Sequence, residues 1–196
     1  MASTQGYLDG QILVAMPLAS KSTLRGAVIY LIGHSSGGAM GIIVNRPAAN
    51  LRFPDLLVRL EIIGEGDLIK LPPKASIINV VQGGPVESSR GFMLHTADYF
   101  LENSTLPIDD DICLTSTRDV LTAIASGEGP ESAVLALGYI AWLPGILENE
   151  IRENSWLHCP ADPELVFGID MTRKYPMALH KIGIDIGRLS SQAGHG

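Results

Sequence analysis

The stretch Ala27-Val28-Ile29-Tyr30-Leu31-Ile32-Gly33-His34-Ser35-Ser36-Gly37-Gly38-Ala39-Met40-Gly41-Ile42-Ile43-Val44 decides the fold. Residues 27–32 and 40–44 are apolar and rich in β-branched side chains, and the segment 33–38 between them is built of turn formers. This predicts a β-hairpin with a longer loop. A competing reading uses the same residues, because Gly33-His34-Ser35-Ser36-Gly37 fits the G-x-S-x-G elbow of α/β-hydrolases. An elbow needs a helix directly after its serine, to present the hydroxyl and complete an oxyanion hole. Two glycines and the run Ile42-Ile43-Val44 follow here instead, so the hairpin is preferred and a hydrolase using Ser35 is a minor alternative.

Upstream, residues 11–16 form a short apolar run that stops at Pro17 and reads as a buried strand. Downstream, Asn45-Arg46-Pro47 ends the hairpin, since Pro47 cannot donate to a ladder. Phe53, Leu56, Leu57 and Leu60 then fall on one helical face, closed by Gly64. Strands are predicted over 76–81, running into Gly83-Gly84-Pro85, and over 91–95 and 112–115. The polar segment 102–111, with Asp109-Asp110-Asp111, reads as an exposed loop. Ser116 or Thr117 is expected to cap a helix over 118–126 that turns Val120, Leu121 and Ile124 inward and ends at Gly127. The unbroken apolar run 133–140 predicts a central strand. Pro144 suits the first turn of a further helix. In that helix Ile146, Leu147 and Ile151 form an apolar face, and Glu148, Glu150 and Glu153 a solvated acidic one. A last strand is expected over 165–169 and a helix over 172–182, broken or started at Pro176. Residues 1–7 and 190–196 read as frayed. Helices interrupt the strands irregularly, so the class is α+β, in one domain over 1–196.

Composition narrows the function. The chain has 196 residues, 46% of them apolar and 18% charged, which excludes global disorder. A net charge of −7 argues against a generic nucleic-acid binder. No continuous apolar run reaches the roughly 20 residues of a membrane span, and the N-terminus lacks signal-peptide character, so a soluble cytoplasmic protein is expected. Cys113 and Cys159 each stand alone in apolar surroundings, as buried free thiols do, and a disulfide between them stays open as the alternative. His34, His95, His158, His180 and His195 form no metal-ligand spacing, and no phosphate-binding glycine motif occurs, so neither metal nor cofactor is expected. Gly83-Gly84-Pro85 offers turn amides but reads as a structural turn. Segment 117–137 has the outline of a helix-turn-helix. Its second element, 131–137, carries no Arg, Lys, Asn or Gln to read bases.

Several motifs occur together in order: Gly10-Gln11-Ile12-Leu13-Val14-Ala15-Met16-Pro17, Asn45-Arg46-Pro47, Gly83-Gly84-Pro85-Val86, and Gly91-Phe92-Met93-Leu94-His95. Leu114-Thr115-Ser116-Thr117-Arg118-Asp119-Val120-Leu121, Gly138-Tyr139 with Trp142, Leu147-Glu148 with Glu150-Ile151, and Ala193-Gly194-His195 complete the series. In this the chain resembles the AlgH/YqgE family of small bacterial proteins. The resemblance implies a mixed, mostly antiparallel bent sheet closing toward a pseudo-barrel and flanked by helices. It implies no established activity, and a transcriptional-regulator label travels with the family name. The chain departs from the pattern at Leu18-Ala19-Ser20-Lys21 and at Ile146, which stands where the family has an amide side chain. The expected role is a non-enzymatic binding or protein-interaction module with a protein or small-molecule partner, and homodimerisation through a sheet edge is open. A ligand or interaction site is expected where Asn45, Arg46, His95 and Trp142 meet, with Gly84, Arg118 and Glu148 as further candidates.

Overall fold

The structure, a computed structural model, describes residues 6–17 and 22–185. The expected frayed ends lie outside these residues except for Gly6 and Tyr7, as does the departing stretch 18–21. The described chain is an α+β domain built on one nine-stranded, mostly antiparallel sheet that curls into a half-barrel. Strands β1 (Gln11–Ala15), β2 (Val28–Ser35), β3 (Gly38–Ile43), β4 (Asn79–Gln82), β5 (Val86–Thr96), β6 (Thr105–Pro107), β7 (Ile112–Thr115), β8 (Ala133–Trp142) and β9 (Trp156–Pro160) run in the order β6-β7-β5-β8-β3-β2-β1-β9, and β4 pairs β8 off this path. The helices are α1 (Phe53–Arg59), α2 (Pro73–Ser76), α3 (Arg118–Ser126), α4 (Ile146–Arg152), α5 (Pro163–Phe167) and α6 (Met171–Lys181).

The central strand is β8, and its two halves serve different cores. Val134 and Ala136 face one cluster with Ile12, Tyr30 and Leu94, while Leu135 faces the opposite side with Phe53, Met93 and Val120. At Gly138 the backbone takes φ +71°, a left-handed conformation natural to glycine. Beyond it the alternation is inverted. Tyr139 packs on the first cluster, and Ile140 and Trp142 face a third, with Leu147 and Trp156. The parallel partner β4 covers residues 134–137 of one edge, and the antiparallel β3 takes 140–142. Gly83 bridges this fork: its N–H donates to Leu137 O and its carbonyl accepts from Ile43 N, both at 2.9 Å. A Cβ on Gly84 would lie 2.1 Å from the Tyr139 carbonyl carbon, so only glycine admits this crossing.

The hairpin is present but tighter than expected. The strands extend through Gly33, His34 and Ser35, and only Ser36-Gly37 turn, with a register shift near Leu31 absorbing the extra residue. No helix follows Ser35, so the hydrolase elbow is absent. The segment 117–137 places strand β8 where a helix-turn-helix needs its second helix.

Five elements differ from expectation. Residues 165–169 are mostly helix α5, because Asp162 caps it by accepting from Leu165 N at 2.9 Å and Pro163 opens the first turn. The short strand β9 carries the outer edge of β1. The segment 102–111 contains β6 and, after it, Asp109, which accepts from Tyr30 Oη at 2.6 Å and from the Asp111 and Ile112 amides. That contact ties the β6–β7 end of the sheet back to β2. Residues 73–76 form α2, so β4 begins only at Asn79. Helix α6 runs unbroken through Pro176, and its Lys174 is 1% exposed, donating to Val44 O and Val166 O at 3.0 and 2.8 Å.

Candidate functional site

The predicted site residues are not gathered at one place. Asn45 accepts from Val28 N at 2.9 Å and donates to Gly26 O at 2.8 Å, stitching the start of β2. Arg46 reaches Arg25 O, and its carbonyl accepts from Gln82 N. Gly84 serves the strand crossing. His95 pairs with Ala133 at the first residue of β8, and Trp142 is its last. Nine residues separate the two positions, up to about 30 Å of strand.

His95 is fully buried and its ring is spoken for on both sides. Its Nδ1 lies 2.9 Å from Thr96 O, which can only accept, so Nδ1 carries the proton. Nε2 then accepts from Thr115 Oγ1 at 2.8 Å, Thr115 accepts from Thr105 at 2.7 Å, and Thr105 accepts from Leu101 N. The chain of donors closes with nothing left over. Burial holds the imidazole below its ordinary value and keeps it neutral.

Helix α4, packed on β3 and β9, places Leu147 in the cluster of Trp142 and sets Glu150 against that indole and Glu148 against His34. Glu150 Oε2 accepts from both indoles, Trp142 Nε1 at 3.0 Å and Trp156 Nε1 at 2.9 Å. His34 Nδ1 accepts from Leu8 N at 3.0 Å, so its Nε2 carries the proton and faces Glu148 Oε1 at 3.2 Å. Hydrogen bonding from its own backbone amide holds the Glu148 carboxyl below the usual range, and His34 adds to this. The helix face expected to be merely solvated therefore anchors the tryptophan core. Ser35, on the hairpin, is exposed and accepts from Gly37 N.

Arg118 stands apart from these. Its guanidinium donates to Leu60 O, joining the start of α3 to the end of α1. Beneath it, between the two helices and the β5–β8 sheet, lies a cleft of about 220 Å³. Leu56, Leu60, Met93, Leu121 and Leu135 line its floor, and Ser89, Ser116 and Thr117 its rim. Thr117 was expected to cap α3 but makes no cap bond, and its Oγ1 is buried without a hydrogen-bond partner. Ser116 only receives a long 3.4 Å contact from Arg90. In the sequence Arg118 stands among the candidates, Leu56 and Leu60 read as plain core, and Ser116 or Thr117 reads as a cap that the structure does not form. The motif Ser116-Thr117-Arg118 was visible; its failure to cap was not.

A larger groove of about 500 Å³ runs between Ile124 and Phe167. At its rim Lys74 pairs with Glu131, and Asn79 donates to Ile169 O at 3.1 Å. Among the described residues no cluster of His, Cys, Asp and Glu could hold a metal ion, and no helix is long and apolar enough to cross a membrane. Cys113 and Cys159 are both free and buried, and burial pushes both thiols up.

A family model described as AlgH-like matches residues 12–187. The chain is 60% identical over 194 residues to a UPF0301 protein of Nitrobacter hamburgensis, covering 99% of this chain and 90% of the relative. It is 59% identical to a UPF0301 protein of Rhodopseudomonas palustris, with 99% and 91% covered. Among solved structures, the AlgH protein of Pseudomonas aeruginosa is similar at 36% identity with a TM-score of 0.74, both chains fully covered. A Corynebacterium diphtheriae protein at 18% identity and a TM-score of 0.61 shares the fold, over 86% of this chain and 82% of that one.

Proposed function

This chain belongs to the AlgH-like family, and we propose that it is a non-catalytic binding module whose ligand enters the cleft between α1 and α3. The buried, unpartnered Thr117 hydroxyl carries this reading. Buried polar groups are nearly always hydrogen-bonded, and the one exception among the side chains of the described residues, beside an apolar cleft, points to an absent partner. The imidazoles of His34 and His95 and the Glu150 carboxylate, side chains that suit acid–base chemistry, bond within the fold instead.

A fragment library titrated into isotopically labelled protein tests the reading through backbone amide shifts. Hits are expected to cluster on α1, α3 and β5. A library whose hits all fall on the groove beside Phe167, or on no described cavity, overturns it.

A protein partner at the far end of β8 is the second reading. Met40, Leu143 and Ile146 are 38%, 76% and 42% exposed there, on the hairpin and the turn into α4. Concentration-dependent sedimentation that Leu143→Asp abolishes would favour self-association through this patch, whereas concentration-independent monomer would remove a second copy as its occupant.

A further inference from the structure

We infer that the ligand of the α1–α3 cleft is a small amphiphile with a carboxylate head and a straight apolar tail of about six to eight carbons. This rests on the binding reading above and assigns its chemical class.

The floor and the rim ask for different ends of one molecule. The floor is hydrocarbon from three sources: Leu56 and Leu60 of α1, Leu121 of α3, and Met93 and Leu135 of the sheet. A ligand that fills it removes apolar surface from water, the main favourable term in such sites. The volume of about 220 Å³ accommodates roughly seven groups of water or methylene size, at ~30 Å³ each. A two-carbon acid leaves the floor unfilled, and a long fatty chain does not fit.

The rim consists of donors. Thr117 Oγ1 holds a proton with no acceptor. Helix α3 starts here without a side-chain cap, so its first-turn amides lack that partner. Arg118 adds a permanent positive charge, already held over the mouth by its bond to Leu60 O. A ligand oxygen accepting from Thr117 recovers the cost of an unmade buried hydrogen bond. A negative oxygen gains in addition from the helix N-terminus and from the guanidinium. A neutral head meets only the first demand, and a cationic head is repelled. The first turn also holds Asp119, whose charge bears on Tyr99, the ring packed over His95. A carboxylate matches the planar donor fork of Arg118 and leaves an oxygen for Thr117.

The test titrates octanoate, octanamide and acetate into labelled protein at fixed ionic strength, well below the micellar range. Octanoate is expected to shift amides of α1, α3 and β5 and to bind about tenfold more tightly than octanamide, with acetate silent. Arg118→Gln is expected to bring the octanoate-to-octanamide ratio close to one, the loss falling mainly on octanoate. Thr117→Val keeps the side-chain shape and removes the orphaned hydroxyl. It is expected to weaken octanoate about fivefold while raising the melting midpoint of the unliganded protein, and the loss of affinity is the part that a hydroxyl unpaired without a ligand role would not produce. Equal binding of octanoate and octanamide at the cleft overturns the head-group assignment and leaves the binding reading standing. Octanoate shifts that are absent or lie elsewhere overturn the ligand class. The fragment map on the same sample then separates the two failures, because cleft hits in it preserve the binding reading and their absence removes both.

Discussion

At Trp142, the last residue of β8, the buried indoles have their partner; at the start of α3, over the middle of the same strand, the Thr117 hydroxyl has none. Glu150 takes both indole N–H groups, and His34 uses both ring nitrogens. Thr117 lines an apolar cleft and bonds to nothing. Both regions pack against β8 and both hold polar atoms out of water, so what separates scaffold from candidate site is hydrogen-bond closure rather than the kind of side chain. His95 belongs with the first group. Its position looks functional in the sequence, yet its network closes on itself.

The largest expected effect breaks the comparison by separating its two halves. Gly84→Ala puts a Cβ into the Tyr139 backbone at the fork of β8, and we expect a loss of about 4 kcal/mol or more, or failure to fold, in urea denaturation. Lys174 sharpens the comparison as an intermediate case, bonded to two carbonyls but without an ion-pair partner among the described residues. Burial pulls its pKa from 10.5 to about 8. The unfolded chain therefore binds this proton more tightly, and the group's contribution to stability rises with pH between about 8 and 10.5, by about 3 kcal/mol in all. The buried thiols and tyrosines act in the opposite sense above pH 9, their protonated forms being favoured in the fold. The measurement is thus the difference between wild type and Lys174→Met across pH 7–10, which should grow with pH.

Glu150→Leu tests the satisfied end directly. Two indoles lose their acceptor at once, for a loss of about 2 kcal/mol, while Glu150→Gln keeps an oxygen and should lose less than about 1 kcal/mol. An equal loss in both variants would mean that the carboxylate's charge, not its bonds, matters. The smallest effect has the opposite sign. Thr117→Val should gain about 1 kcal/mol in the unliganded protein, since it removes an unpaired buried oxygen. A loss there would show that the hydroxyl has a partner and would erase the contrast.

Much of the fold is legible because some signals have no competitor. Helix α3 is flanked by Gly127 and carries one clear apolar face, and it occupies residues 118–126 as read. Strand β8 is a long run of Ala, Val and Leu with no polar interruption, and its central place follows. Helix α5 reads as a strand in the sequence because Leu165-Val166-Phe167 is too short to show a period, and its start is marked only by Asp162-Pro163. Strand β9 and the role of Asp109 depend on partners about 145 and 79 residues away, which local pattern does not encode. The site divides in the same way. Trp142 meets Glu150 because a short turn joins their elements, whereas Glu148 on the same helix goes to His34. Arg46 and His95 are polar residues near strand ends that topology keeps apart. The cleft itself arises where α1 and α3 fail to close over the sheet, a property of packing that neither helix shows alone.

The pairing of β1 with β9 has a consequence for how the chain is made. Ile12, Leu13, Val14 and Ala15 are fully buried, and one edge of their strand is matched only by residues 156–160. During synthesis β2 and β3 can form their hairpin early and pair with β1, but the outer edge of β1 stays bare until more than 140 further residues have been added. An apolar strand with an open edge is a template for another chain. The interval between translation of β1 and of β9 is therefore the period in which this protein most needs protection from its own neighbours on the polysome.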